Sequence, residues 1–287
     1  MNIESQRALA QQTSAFYTHH SASFSATRQH AWNGWQTCAT HILSDLTPAE
    51  KDSAQGHFTV CDIACGNLRL AAFLESLAET PEADASAEPA RLHTSRIDYT
   101  GVDTCMDLCA RASATHDARM HIYTQERDLI EALLTHTPLV DINATNKTGP
   151  SGFDIVSCMG FFHHVPGKQT RKDLLQQLVD ITRPGGYIAC SLWAFLRDER
   201  IATQAQRVTS AKLEDEEFAA AIELEDNDYL LGWKGDTSYV RYCHHFDDEE
   251  LSELIGHVQG QTKLVAWFDA DGKAGNLNHY LIFKKLA

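Results

Sequence analysis

The stretch Val60-Cys61-Asp62-Ile63-Ala64-Cys65-Gly66-Asn67-Leu68-Arg69-Leu70 decides the fold. A short apolar run ends in a carboxylate, turns tightly through small residues and enters a segment with helical spacing. Tyr99-Thr100-Gly101-Val102 repeats the first half of this pattern and ends at Asp103. Two buried-strand patterns, each closed by an acid, point to a nucleotide-like cofactor held at the carboxyl ends of parallel strands.

Phe58 to Ile63 is the opening strand. Leu68 to Ala78 follows as a helix, with Leu70, Phe73, Leu74 and Leu77 on one face and Asn67 as its N-cap. A second strand spans Ile97 to Val102 and leads to a helix around Met106 to Ala114. A third strand near Met120 to Thr124 ends close to Glu126 and Asp128, ahead of a short helix at Leu129 to Leu134. Phe153 to Met159 is almost continuously apolar, as a strand buried on both faces is. Arg171 to Thr182 carries Leu174, Leu175, Leu178, Val179 and Ile181 at helical spacing, and Arg183-Pro184-Gly185-Gly186 stops it before a fifth strand, Tyr187 to Trp193. Asp247-Asp248-Glu249-Glu250 opens a last helix with a capping-box pattern. Lys263 to Phe268 and Asn278 to Phe283 then close the chain as an antiparallel hairpin.

Alternating strands and helices predict a doubly wound, mostly parallel seven-stranded α/β sheet. Residues 1–46 are expected to form a helical cap, interrupted near Ser21 to Thr27, over a domain spanning 47–287. Segments 79–95, 143–152 and 194–228 read as insertions, the last helical at first and strongly acidic from Glu214 to Asp228.

The 24 basic and 39 acidic side chains leave a net charge of −15, so the average surface repels phosphate backbones. All eight cysteines sit mostly within apolar patterns, and without a secretory leader they read as reduced thiols of a cytoplasmic protein. The pairs Cys61/Cys65 and Cys105/Cys109 lack the C-x-x-C spacing and His partners of structural zinc, so no metal is expected. No apolar run reaches the length of a membrane span.

A pyrophosphate needs close backbone approach through several glycines, and only Gly66 is present in the turn. A cofactor without phosphates tolerates such a turn better, because an acid and one or two backbone groups can meet its amine and carboxylate. S-adenosylmethionine has that chemistry. Asp103 is then placed to accept hydrogen bonds from ribose hydroxyls, and Asp128 or Glu126 to lie near an adenine amino group. Each acid has an alternative reading as a helix N-cap.

The order Asp62-Ile63-Ala64-Cys65-Gly66-Asn67, Gly101-Val102-Asp103, Phe153-Asp154-Ile155-Val156 and Arg183-Pro184-Gly185-Gly186 resembles the class I S-adenosylmethionine-dependent methyltransferases. A narrower likeness covers most of the chain outside the insertions. Phe24-Ser25-Ala26-Thr27-Arg28 with Trp32, the pair His163-His164, Trp193-Ala194 and Tyr239-Val240-Arg241-Tyr242-Cys243-His244 are similar, in order, to the tRNA wobble-uridine carboxymethyl methyltransferases. That family methylates a carboxylate on a modified uridine.

Three departures stand out. Ala64 and Leu68 replace glycines of the turn, with φ expected to stay negative at Ala64 and helical at Leu68. Cys243 replaces a second tyrosine. The acidic segment 214–228 is a poor surface for tRNA.

The resemblance implies cofactor contacts from Tyr17, Arg28, Trp32, Asp62, Ala64, Cys65, Gly66, Asp103, Thr104, Asp128, Met159 and Gly160. It implies catalytic or acceptor contacts from His163, His164, Arg241 and His244. The acceptor is left between tRNA and a small acidic or hydroxylated metabolite, and a non-catalytic cofactor-binding partner is a third reading. Eukaryotic members of the family rely on a small activator subunit, which nothing in this sequence identifies.

Overall fold

The computed structural model describes residues 1–27, 30–46, 57–78, 96–109, 119–142 and 152–287. The expected insertion at 79–95 and nearly all of that at 143–152 fall outside these ranges, as does Arg28.

Five strands run parallel: β1 (Phe58–Ile63), β2 (Ile97–Asp103), β3 (Met120–Glu126), β4 (Phe153–Met159) and β5 (Thr182–Trp193). A separate antiparallel pair, β6 (Asp228–Trp233) and β7 (Asp236–His244), precedes the closing hairpin of β8 (Thr262–Ala270) and β9 (Asn278–Lys285). The main sheet is seven-stranded in the order β3-β2-β1-β4-β5-β9-β8, with β9 antiparallel to β5. Strand order reverses between β1 and β4. In an open α/β sheet that reversal opens a crevice at the carboxyl ends of the strands.

Every residue of β1 and β2 is buried, the polar Thr59, Asp98 and Thr100 included, as central parallel strands covered on both faces are. One face of the sheet is covered by α5 (Leu129–Leu134), α6 (Lys168–Ile181) and α9 (Asp248–Val258), the other by α2 (Asn33–Asp45) and α3 (Arg69–Ala78), and the single turn α4 (Met106–Cys109) follows β2. Leu174, Leu175, Leu178 and Val179 of α6 are almost wholly buried, each worth about 1.5–3 kcal/mol against exposure. Asp247 caps α9 by accepting from the Glu250 amide at 2.9 Å.

The doubly wound class and the closing hairpin stand as expected, and four details differ. The first helix, α1 (Ile3–Ser25), runs through the segment where a break was expected, and the chain turns only after it. Helix α6 starts at Lys168, earlier than its apolar spacing indicates, and β5 begins at Thr182. The insertion after β5 folds as α7 (Glu199–Leu213) and α8 (Glu216–Ala221) and leads into β6 and β7, two strands not anticipated. Their turn, Lys234-Gly235, has positive φ at both residues, the two-residue geometry that matches strand twist. Helix α1 packs on β7.

The fourth difference concerns the cofactor turn. Ala64 has φ +60° and Leu68 φ +58°, so neither adopts the negative φ expected of it. Left-handed backbone costs a residue with a Cβ about 1–2 kcal/mol. The turn is held there by the Cys65 amide on the Val102 carbonyl at 3.1 Å and the Leu68 amide on the Cys65 carbonyl at 3.0 Å. Leu68 is also buried against the core beside α3.

Ala64→Gly is expected to raise stability by about 0.5–1 kcal/mol, since glycine relieves the left-handed strain. Ala64→Val is expected to lower it, because a β-branched residue fits that region worst. Denaturant midpoints of the two variants against the parent check both signs.

Candidate active site

A cavity of about 1190 Å³ opens at the carboxyl ends of β1, β2 and β4, bordered by α1 and the β6–β7 pair. From the strand ends it is lined by Asp62, Ala64, Cys65 and Gly66, by Asp103 and Thr104, by Asp128, and by Met159 and Gly160. Tyr17, Trp32, His163, His164 and Arg241 complete the set of expected residues that meet there. Arg28 lies outside the described residues.

Asp62 lines the cavity but is only 3% exposed. It accepts from the Tyr99 hydroxyl and from Ser157 Oγ at 2.7 Å. Burial pushes its carboxyl up to about 6, with those two hydrogen bonds pulling the other way. Asp103 accepts from the amides of Gly66 at 2.8 Å and Cys105 at 2.7 Å. Its acidity is also weakened by burial, against the opposing pull of those amides. Asp128 caps α5 through the Glu131 amide at 3.0 Å, which is its capping reading, and it also lines the cavity. Thr104 donates to the Arg127 carbonyl at 2.9 Å, tying the end of β2 to the loop after β3.

Gly66 has φ +54°, and a Cβ built on it would meet nothing within 4 Å, so the turn presents open backbone to the cavity. At Gly160, φ is +82° and a Cβ would come within 2.9 Å of the Trp32 ring, so glycine lets that indole lie against the end of β4.

His164 is wired at both ring nitrogens. Nδ1 lies 2.8 Å from the Tyr242 carbonyl, which can only accept, so Nδ1 carries the proton. Nε2 therefore accepts from the Tyr17 hydroxyl at 2.7 Å. His163 packs beside it, with ring centroids 4.1 Å from His164 and 5.0 Å from Trp193.

Arg241 is 5% exposed and sits among aromatic rings, its guanidinium carbon 4.7 Å from the Phe16 centroid and 5.6–5.8 Å from those of Phe24, Trp193 and Trp233. Its Nε and Nη1 are buried without a hydrogen-bond partner. Among the described residues no carboxylate lies within 4.0 Å of it. Burial pushes the nearby Cys243 thiol up to about 11, with Arg241 pulling in the other direction.

His244 stands apart from the catalytic role expected of it. It does not line the cavity; its Nδ1 lies 2.7 Å from Asp228 and its Nε2 2.5 Å from Glu250. With both nitrogens engaged, the ring has nothing to offer an acceptor. It belongs instead to a buried network in which Arg171 Nε contacts Glu250 at 2.7 Å and the Tyr242 hydroxyl donates to Asp228 at 2.6 Å. The backbone of the same Tyr242 fixes the His164 tautomer.

Arg69 and Trp193 are among the lining residues that were not expected at the site. Arg69 lies 5.2 Å from the Trp32 ring and 5.3 Å from the Trp35 ring and donates to the His30 carbonyl at 2.8 Å. Burial lowers its guanidinium to about 10. Its sequence signal was its place directly after the turn. Trp193 ends β5 beside His163, and its sequence signal is its place in the Trp193-Ala194 pair that the resemblance includes.

Residues 61–190 match the family described as Methyltransferase domain. The chain carries an S-adenosylmethionine-dependent methyltransferase domain. No curated protein matches its sequence. Among solved structures, a methyltransferase from Methanosarcina mazei is 15% identical with a TM-score of 0.51, covering 84% of this chain and 99% of its own. The DhpI-SAM-HEP complex is 13% identical with a TM-score of 0.53, covering 96% of this chain and 97% of its own. The 1,6-didemethyltoxoflavin-N1-methyltransferase of Burkholderia thailandensis, with bound 1,6-didemethyltoxoflavin and S-adenosylhomocysteine, is 16% identical with a TM-score of 0.51, covering 100% and 92%. These likenesses place the methyltransferase in the class I fold.

The cavity suits the cofactor. The open backbone at Gly66, the Asp62 and Asp103 carboxylates and the Trp32 ring supply the acceptors and apolar walls that an amino acid joined to a nucleoside needs. Asp103→Ala removes a charged acceptor and frees the Gly66 amide. Loss of such bonds is worth about 1.5–3 kcal/mol each, so S-adenosylhomocysteine affinity is expected to fall roughly 10- to 100-fold by calorimetry, with the circular dichroism unchanged.

The buried network gives the methyltransferase a defined pH response. Burial alone would lower His244, but Asp228 and Glu250 outweigh it and raise the imidazole above its ordinary 6.5. That contribution to stability is full below pH 6.5 and is lost as pH rises through the raised value. For Glu250, burial is outweighed by His244 and Arg171, which bring it down to about 2, so its contribution is full above pH 4.5 and lost as pH falls toward that value. His244→Gln is expected to lower the melting temperature more at pH 6 than at pH 9, which a pH series of thermal melts measures.

Proposed function

We propose that this methyltransferase acts on an anionic acceptor and methylates a carboxylate on oxygen. Arg241 carries the reading: a buried cation in an aromatic box, on the cavity wall, with two guanidinium nitrogens lacking hydrogen-bond partners. A desolvated charge of this kind is costly unless paired, and an acceptor carboxylate supplies both the charge and the paired oxygens that a guanidinium fork binds best.

S-adenosylmethionine, when bound, supplies an electrophilic methyl group on its sulfonium. Asp62, Asp103 and the Gly66 backbone would hold it at the strand ends. Arg241 orients the acceptor, and the aromatic wall excludes water from the reacting pair. A carboxylate, with a reference pKa near ~4, is already ionised at neutral pH and needs no base.

Within this class, the motif order of Phe24 to Trp32 and Tyr239 to His244 favours the carboxymethyl group of a wobble uridine in tRNA. The charge of −15 favours a small free acid. The Tyr17–His164 pair supports a second reading, a hydroxyl acceptor on an acidic molecule. There His164 Nε2 can take a proton passed through the Tyr17 hydroxyl.

Incubation with methyl-labelled S-adenosylmethionine, hypomodified tRNA and a panel of carboxylic acids tests both readings. Base-labile product is expected from the ester; base-stable product shifts the acceptor to a hydroxyl; no product from any acceptor counts against both. Arg241→Met is expected to lower kcat/KM for the acceptor about 100-fold or more, equivalent to ~3 kcal/mol. S-adenosylhomocysteine affinity should stay within about twofold of the parent.

A further inference from the structure

Beside the cavity mouth, the last turns of α1 meet the start of β7. His19, His20 and Asp236 come together there, with one potential ligand atom from each lying within 4.8 Å of the others. His20 Nε2 faces Asp236 Oδ2 at 3.8 Å, too far for a hydrogen bond. His20 is only 9% exposed, and that same nitrogen is buried without a hydrogen-bond partner. An unpaired buried polar atom costs about 1–3 kcal/mol.

The surroundings prepare the other two groups. Asp236 Oδ1 accepts from the Ser238 amide at 2.8 Å and from its hydroxyl at 2.5 Å, which orients the carboxylate with Oδ2 toward His20. The His19 ring stacks on Tyr239 at 4.2 Å and 17°. A second tether, Trp233 Nε1 to Ser23 Oγ at 3.1 Å, already fastens α1 to the β6–β7 pair.

We propose that His19, His20 and Asp236 form a binding site for a divalent transition-metal ion of the zinc class, clamping α1 to the β6–β7 hairpin at the mouth of the cavity. Two imidazoles and one carboxylate form a donor set suited to zinc, with water in the fourth position. Bonds of ~2.0–2.2 Å bring tetrahedral donors roughly 3.5 Å apart. His20 Nε2 and the Ser238-held Asp236 Oδ2 are already 3.8 Å apart, and rotation of the exposed His19 ring off Tyr239 can supply the rest of the closure. Ser238 plays the outer-shell part that keeps a ligating carboxylate in place. The ion would fix the spacing between α1, which carries Tyr17, and β7, which carries Arg241, and so set the width of the entrance. This site is independent of which acceptor is methylated.

Chelator-treated protein is titrated with Co²⁺ as a spectroscopic probe and then with Zn²⁺. One equivalent of Co²⁺ is expected to give the intense visible d–d bands of tetrahedral coordination, bleached stoichiometrically by Zn²⁺. His19→Ala and Asp236→Asn, both at accessible positions, should each weaken Zn²⁺ binding at least tenfold while leaving the circular dichroism unchanged. Absence of the bands in the parent protein, or equal affinity in the parent and both variants, would overturn the proposal.

Discussion

The buried Asp62 carboxylate accepts from the Tyr99 hydroxyl and from Ser157 Oγ. It belongs to β1, while its partners Tyr99 and Ser157 belong to β2 and β4, so one side chain stitches three adjacent strands where the sheet reverses direction. Holding a carboxylate inside a protein is expensive, and burial already raises it to about 6. The two hydroxyls make the charge tolerable, and in doing so fix how far apart the strand ends lie. That spacing is the width of the crevice.

The cofactor turn hangs from the same point. Its amides are committed to Asp103 through Gly66 and to the Val102 carbonyl through Cys65, so its path is set by β2 as much as by β1. This tethering explains how Ala64 and Leu68 tolerate a backbone region that favours glycine. The left-handed cost is local, whereas the hydrogen bonds and the burial of Leu68 that hold the turn come from neighbouring elements. Glycines counted along the sequence therefore understate how well the turn can serve a cofactor.

What was legible in the sequence follows from the range of the interactions involved. Strands β1, β2 and β4, the helix at Leu174 to Ile181 and the closing hairpin announce themselves through local periodicity and burial on both faces. Asp62 and Asp103 were legible because a strand end fixes where an acid points. The β6–β7 pair was missed because its signal, Lys234-Gly235 between short mixed runs, sits next to a strongly acidic segment that reads as solvent-facing insertion. His244 was misplaced for a related reason. A histidine in a motif looks available, and only the fold shows Asp228 and Glu250 closing on its two nitrogens. The tautomer of His164 rests on a carbonyl 78 positions away and could not be read from its neighbours at all.

The charge distribution joins these parts. A protein with net charge −15 repels anions on average, yet the cavity wall keeps Arg241 buried and without a carboxylate partner among the described residues. Two other buried basic groups are answered by acids: Arg171 has Glu250 and Glu225, and His244 has Asp228 and Glu250. The difference is not one of burial, since Arg171 and Arg241 are 1% and 5% exposed. It lies in surroundings, carboxylates for one and the faces of Phe16, Phe24, Trp193 and Trp233 for the other. Aromatic faces soften the cost of a desolvated cation without neutralising it. An acid that enters the cavity therefore gains a strong interaction at one point, while the surrounding surface discriminates against acids that do not fit. With an acid as the acceptor, the acidic exterior and the buried Arg241, which has no carboxylate partner among the described residues, act together, and selectivity comes from the contrast between them.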